Sequence, residues 1–225
     1  GRNNVCQLGD GTLENKSVPV QIMSDVLQVS NRYNSTMILK TDGSLWATGR
    51  NFYGQLADGT TDQRNSPIMV MSDVAVVATG EGYTMILRSD GSLWGVGYNY
   101  GGNLGDGTTL TRWSPVLIMN DVSKVFTGAA HTLILKSDGS LWATGSNGYG
   151  SLGDGTTTNR SSPVHVMNSV VSVGVGEGHT MIVTADGTLW ATGKNANGQL
   201  GDGTMINRST PVSVMSGVQA VASGE

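Results

Sequence analysis

One cysteine, Cys6, stands in 225 residues. A lone thiol cannot build an intrachain disulfide framework, so cysteine usage assigns no compartment. Charge is scarce as well, at 13% of residues, and its balance is acidic, with a net charge of −4. That excludes a broad nucleic-acid footprint, which needs a basic face. No stretch approaches the roughly 18 apolar residues of a membrane helix, so helical membrane insertion is not expected. Helix itself is disfavoured: no window sustains a 3.6-residue apolar period, and the 33 glycines recur too often for helix interiors. The usual catalytic signatures are missing too. There is no G-x-S-x-G elbow, no H-E-x-x-H, no P-loop and no Cys-His pair. An enzyme is therefore not expected, nor a bound cofactor. The sequence opens at Gly1 with neither an initiator Met nor a signal-peptide pattern, so any targeting segment lies outside these residues.

What is present is a repeat. Trp46, Trp94, Trp142 and Trp190 are 48 residues apart, and Asp10, Asp58, Asp106, Asp154 and Asp202 keep the same step. The five prolines, Pro19, Pro67, Pro115, Pro163 and Pro211, follow suit. Copies begin at Gly1, Gly49, Gly97, Gly145 and Gly193, the last of them incomplete. A period of this length signals a solenoid, propeller or array.

Within a copy, Pro163–Met167 reads as an outer strand, because Pro cannot donate to a ladder and is confined to strand starts and edges. Val122–Val125 leads to a glycine corner, and His131–Lys136 is a β-favouring run. Asp138-Gly139 then joins it to Ser140–Gly145, and that dipeptide predicts a hairpin with a type I′ turn. Each unit thus supplies four short antiparallel strands and a longer loop, such as Asn147–Ser162. Strands apolar on both sides, as at Met181–Val183, need neighbours above and below. Radially stacked four-stranded sheets provide them. The expected fold is an all-β propeller, one partial domain over residues 1–225. Its complete blades are read at about Val26–Met71, Val74–Met119, Val122–Met167 and Val170–Met215. Terminal strands of a fifth are expected at Pro19–Met23 and Val218–Ser223, without the hairpin between them. The reading is a piece of a larger ring, or a ring completed by residues outside this sequence. A second copy would close it poorly, because the termini do not dovetail.

The motif G-x-N-x-x-G-Q-L-G-D-G, then Pro-Val, G-x-x-H-T and D-G-x-L-W, resembles the repeats of the regulator of chromosome condensation family. It looks closest to bacterial proteins carrying the repeat in tandem. The resemblance covers the whole chain and implies a seven-bladed propeller, which at this period needs about 336 residues. It also implies two activities: protein interaction, or guanine-nucleotide exchange on a small GTPase. Exchange in the namesake uses a wedge inserted in a blade and a basic tail, and neither is visible here. A self-assembling structural or surface repeat is a third reading. Sparse lysine with abundant Thr, Ser, Asn and Gly inclines the assignment toward a secreted or surface bacterial protein.

The repeated aspartates invite a calcium reading. Each loop brings one carboxylate without a D-x-D-x-D cluster, however, and turn chemistry accounts for Asp-Gly, so no metal site is expected. Arg64, Arg112, Arg160 and Arg208, with Lys16 in the first copy, sit six residues after those aspartates and are expected to fork onto them. His131 and His179 share a position with Tyr83 and Ser35, which suits a packed side chain better than a catalytic base. His165 is expected to be exposed. Cys6 replaces a turn glycine (Gly54, Gly102, Gly150, Gly198) and has no base in view. Positions that change from copy to copy are free of the scaffold. They are Arg50, Phe52, Tyr53, Tyr98, Tyr100, Ser146, Tyr149, Lys194 and Asn197 after the Trp strand, and Leu110, Trp113, Met205 and Ile206 in the long loop. Aromatic and arginine side chains on loops are the types enriched at interfaces. The expectation is a rigid scaffold that displays Arg50, Phe52, Tyr53, Tyr98, Tyr100, Trp113, Tyr149 and Lys194 to a protein partner.

Overall fold

A computed structural model describes residues 1–222. The described chain contains strands and turns, and no helix long and apolar enough to cross a membrane. It falls into two compact units, Gly1–Asn99 with Leu110–Asn120, and Tyr100–Thr109 with the residues from Asp121 onward. The first unit holds two sheets. One comprises β1 (Val26–Arg32), β2 (Ser35–Lys40), β3 (Leu45–Gly49) and β4 (Arg64–Met71). The other comprises β5 (Val74–Thr79), β6 (Tyr83–Arg88), β7 (Leu93–Gly97) and β8 (Arg112–Met119). The second unit likewise holds β9 (Val122–Thr127), β10 (His131–Lys136), β11 (Leu141–Gly145) and β12 (Arg160–Met167). Its other sheet is β13 (Val170–Val175), β14 (His179–Thr184), β15 (Leu189–Gly193) and β16 (Arg208–Met215). All four sheets are antiparallel meanders with the same register. The all-β, four-stranded architecture read from the repeat is the one observed.

The hairpin turn differs from the type I′ expectation. Lys40 carbonyl accepts from Gly43 N–H at 3.0 Å, and Ser44 carbonyl accepts from Lys40 N–H at 2.9 Å. Only Gly43 has a positive φ, 81°, while Asp42 does not. This is a type I turn closed by a glycine bulge, the usual three-residue hairpin loop. The reason lies in Asp42: its Oδ1 accepts from Ser44 N and Oγ at 2.9 and 2.6 Å, an arrangement that holds Asp in an ordinary conformation. Ser44 Oγ in turn accepts from the Trp46 indole at 2.9 Å. The repeated D-G-S-L-W is therefore one hydrogen-bonded unit from turn to tryptophan.

Sheets pack face to face within each unit. In the first, Met37, Leu39, Leu45 and Ala47 meet Val74, Val77, Ile86 and Val96. The second repeats the pattern with Leu133, Leu135, Leu141 and Ala143 against Val170, Val173 and Ile182. Each such fully buried aliphatic side chain contributes about 1.5–3 kcal/mol. This packing explains why the facing strands read as apolar runs.

The two terminal segments do not form the strands expected of them. Residues 19–23 and 218–222 carry no strand pairing, and Ser223 lies outside the described residues. A strand needs a neighbour for its N–H and C=O groups, and among the described residues no strand pairs with either segment. Isolated bonds hold the second, from Val218 N to Gly187 O at 2.9 Å and from Val221 N to Ser172 Oγ at 3.4 Å.

Candidate functional site

The loop after each Trp strand is built around a buried asparagine. Asn51 donates from Nδ2 to Asp58 Oδ1 at 2.9 Å and to Thr60 carbonyl at 3.1 Å, while its Oδ1 accepts from Leu56 N–H at 2.9 Å. Asn3, Asn147 and Asn195 do the same in their copies. Asp58 also accepts from Thr60 N and Oγ1 and from Arg64 Nε, the last at 2.6 Å. Arg160 and Arg208 fork onto Asp154 and Asp202 at 2.6 and 2.8 Å, and Lys16 reaches Asp10 at 3.5 Å. Burial works to raise the carboxyl pKa of Asp58 and Asp154, but these bonds outweigh it and hold both below the usual value. Asp10, bonded by Thr12 foremost and also by Asn3, is lowered to about 2. Each carboxylate is spent on its own loop.

Upon this constant frame sits a variable position. The residue following each Trp strand donates its backbone N–H across the hairpin corner: Arg50 to Asn34 O, Tyr98 to Gly82 O, Ser146 to Ala130 O and Lys194 to Gly178 O, at 2.8–2.9 Å. The backbone bond is the same in every copy and the side chain differs. In the first unit, Arg50 lies 5.0 Å from the Tyr33 ring centre and 4.5 Å from that of Phe52. Tyr53 and Tyr98 pack with ring centres 4.9 Å apart, tilted by 53°. Gly82 leaves room for them, since a Cβ there would come within 2.8 Å of the Tyr53 ring. In the second unit, Lys194 Nζ stands 5.6 Å from the Tyr149 ring centre. The two also line a cavity of about 290 Å³ with Ser146, Gly148 and Glu177.

The sequence matches the RCC1-like domain over residues 1–225. The chain belongs to the RCC1-like domain family.

This RCC1-like domain superposes on human WBSCR16 with a TM-score of 0.85 at 25% identity, covering 99% of this chain and 63% of that one. Yeast RCC1 (Prp20), in a structure bound to Kap60, matches with a TM-score of 0.75 at 19% identity, over 89% of this chain and 51% of that one. Prp20p from Saccharomyces cerevisiae, described with its binding to Gsp1p and histones, gives 0.74 at 21% identity, with 89% and 52% coverage. The chain thus spans under two thirds of the human protein and about half of the yeast one. No curated protein sequence matches it. The blades are those of a β-propeller.

The geometry of this RCC1-like domain groups some of the sequence-derived candidates and separates others. Arg50 joins Phe52, Tyr53 joins Tyr98, and Tyr149 joins Lys194. Tyr100 is 78% exposed in the second unit. Trp113, expected in the long loop, is instead the second residue of β8. Its backbone is pressed against Gly54, where a Cβ would lie 2.6 Å from Trp113 Cα, while its side chain stays exposed. Sequence reading missed Tyr33, whose signal was available: the equivalent positions are Glu81, Ala129 and Glu177, so it varies as the others do.

The histidines are packing residues. His131 is buried, with Nε2 3.5 Å from Thr180 Oγ1. A Cβ on Gly176 would fall 2.2 Å from the His179 ring, and one on Gly80 1.8 Å from the Tyr83 ring. A ring at this position therefore requires glycine three residues earlier, and the copy with Arg32 at that place has Ser35 in place of the ring. Burial foremost, then the Lys194 charge, lowers the pKa of His179 and favours neutral imidazole. His165 is exposed. Cys6 is buried in its turn at φ 59°, donating to Asn65 Oδ1 at 2.9 Å, and burial raises its pKa, which keeps the thiol protonated.

Proposed function

We propose that this RCC1-like domain is a non-enzymatic interaction module whose rigid blades present variable side chains to a protein partner. One observation carries the reading: an identical backbone bond fixes the residue after each Trp strand, yet the side chain placed there is Arg50, Tyr98, Ser146 or Lys194. Constant anchoring with changing chemistry is how a scaffold carries recognition on loops. The Arg50–Tyr33–Phe52 stack and the Tyr53–Tyr98 pair add the residue types that dominate interface energetics. Quantitative affinity capture with the wild type and with the triple variant Arg50→Ala, Phe52→Ala, Tyr53→Ala tests it. A partner retained by the wild type should lose at least about 30-fold in affinity, from roughly 2 kcal/mol or more at such a cluster. Equal retention overturns the assignment of this face.

We read the chain, as one partial domain with blades near the four sheet limits, as part of a larger propeller. Val26 and Val29 are 38% and 55% exposed, while their counterparts Val74, Val77, Val170 and Val173 are buried. An apolar sheet face of this kind suits a further blade of the same repeat. In a longer chain with the flanking repeats, amide exchange across β1 should slow to the rates of β5; unchanged exchange would count against it. Nucleotide exchange on a small GTPase is the alternative, prompted by the binding of Prp20p to Gsp1p. A nucleotide-release assay without acceleration disposes of it.

A further inference from the structure

The cavity in the second unit exists because the repeat was emptied at one register. Shifting by 96 residues maps Tyr33, Arg50 and Phe52 onto Ala129, Ser146 and Gly148, while Tyr53 and Glu81 return as Tyr149 and Glu177. In the first unit the three larger side chains stack on one another. In the second their places are taken by a methyl, a hydroxymethyl and a hydrogen. The space left, about 290 Å³, has Ala129, Ala130, His131, Ser146, Tyr149, Glu177 and Lys194 in its lining. It lies at the small end of ligand pockets. At roughly 30 Å³ per water-sized atom, it holds about ten non-hydrogen atoms.

Three of its polar side chains, Lys194, Glu177 and Ser146, are uncommitted. Among the described residues, the Lys194 ammonium makes no ion pair; it stands over the Tyr149 ring and within electrostatic reach of His179. The Glu177 carboxylate and the Ser146 hydroxyl have no side-chain hydrogen bond either. The lining thus carries one ammonium and one carboxylate that form no ion pair with each other, together with two alanines and His131. A simple anion would be drawn by Lys194 and repelled by Glu177, and a simple cation the reverse. A ligand bearing both charges satisfies both.

We infer that this cavity binds a small zwitterion of free α-amino acid type, with its carboxylate on Lys194 and its ammonium on Glu177. An aliphatic side chain lies on Ala129 and Ala130 beside the Tyr149 ring. The cavity contains none of the residues changed in the Arg50, Phe52, Tyr53 variant, so the two tests fail independently.

The test is ligand-observed NMR and calorimetry with L-alanine, L-valine, L-leucine and L-glutamine on the whole chain. Isobutylamine and isovalerate serve as valine lacking one charge each. At least one amino acid should bind saturably, with each single-charge analogue weaker by about tenfold or more, as expected for a lost hydrogen bond to a charged group. Lys194→Met should weaken the amino acid by a similar factor and should not weaken isobutylamine, which loses only a repulsion. Gly148→Phe should abolish binding. A Cβ there meets nothing within 4 Å, and its φ is not in the left-handed region, so this variant fills the cavity without disturbing the blade. Three results would each overturn the inference: no saturable binding up to tens of millimolar, equal binding of valine and its two analogues, or undiminished binding by a folded Gly148→Phe.

Discussion

Replacing Asn51 with alanine removes the centre of its loop, and the cost follows from the bonds it makes. Three hydrogen bonds disappear: two donated by Nδ2, to Asp58 and Thr60, and one accepted by Oδ1 from Leu56 N–H. Asn51 and Leu56 are both fully buried, so water cannot replace the lost acceptor without entering the loop. At about 1 kcal/mol net for each of the two donated bonds, and about 1–3 kcal/mol for the Leu56 N–H left without its acceptor, the sum is about 3–5 kcal/mol. For a chain of this size, where each kcal/mol shifts the melting temperature by about 2–4 °C, the drop is about 6–20 °C. Asn147→Ala, with the same bonds to Asp154, Thr156 and Leu152, should cost as much in the second unit. Asn197→Ala should change stability by less than about 0.5 kcal/mol, because that side chain is exposed. Thermal unfolding followed by circular dichroism and tryptophan fluorescence decides it. If Asn51→Ala melts within about 2 °C of the wild type, the loops are not held by their asparagines and the reasoning is refuted.

Two further outcomes are expected. Gly176→Ala should destabilise by about 1–3 kcal/mol through overlap with the His179 ring, and adding His179→Ser should recover part of the loss, as in the copy where Arg32 accompanies Ser35; additive losses in denaturant melts would contradict the steric account. Acid titration should show a stability slope belonging to Asp10. Its pKa is depressed from 3.8 to about 2, so its contribution is complete above the ordinary value and is lost as pH falls from about 4 toward 2. Asp10→Asn should flatten that slope, and an unchanged acid profile would argue against these bonds.

Much of the fold was legible because a 48-residue period repeats the same local physics. The antiparallel meander could be read from apolar runs separated by Asp-Gly and ended by Pro. The arginine forks on Asp58, Asp154 and Asp202 were legible from spacing alone. The turn type was not, since Asp-Gly serves both type I′ and the bulged type I turn, and the choice rests on the Asp42 bonds to Ser44. The asparagine of G-x-N was visible as an invariant letter, but its three simultaneous bonds depend on how the loop folds back. Trp113 looked like a loop residue because the outer strand begins before its proline, at Arg112.

The sequence by itself therefore determined the repeat, the strand order and the division between constant and variable letters. These depend on local bonding and on apolar pattern, both of which read along the chain. Only the tertiary structure decided what the variable letters do together. Arg50 meets Tyr33 and Phe52, while Ser146, Ala129 and Gly148 leave a cavity between Lys194 and Glu177. Side chains far apart in sequence become neighbours when one hairpin corner packs beside the next. Whether they stack or leave space is set by their volumes at the point of contact.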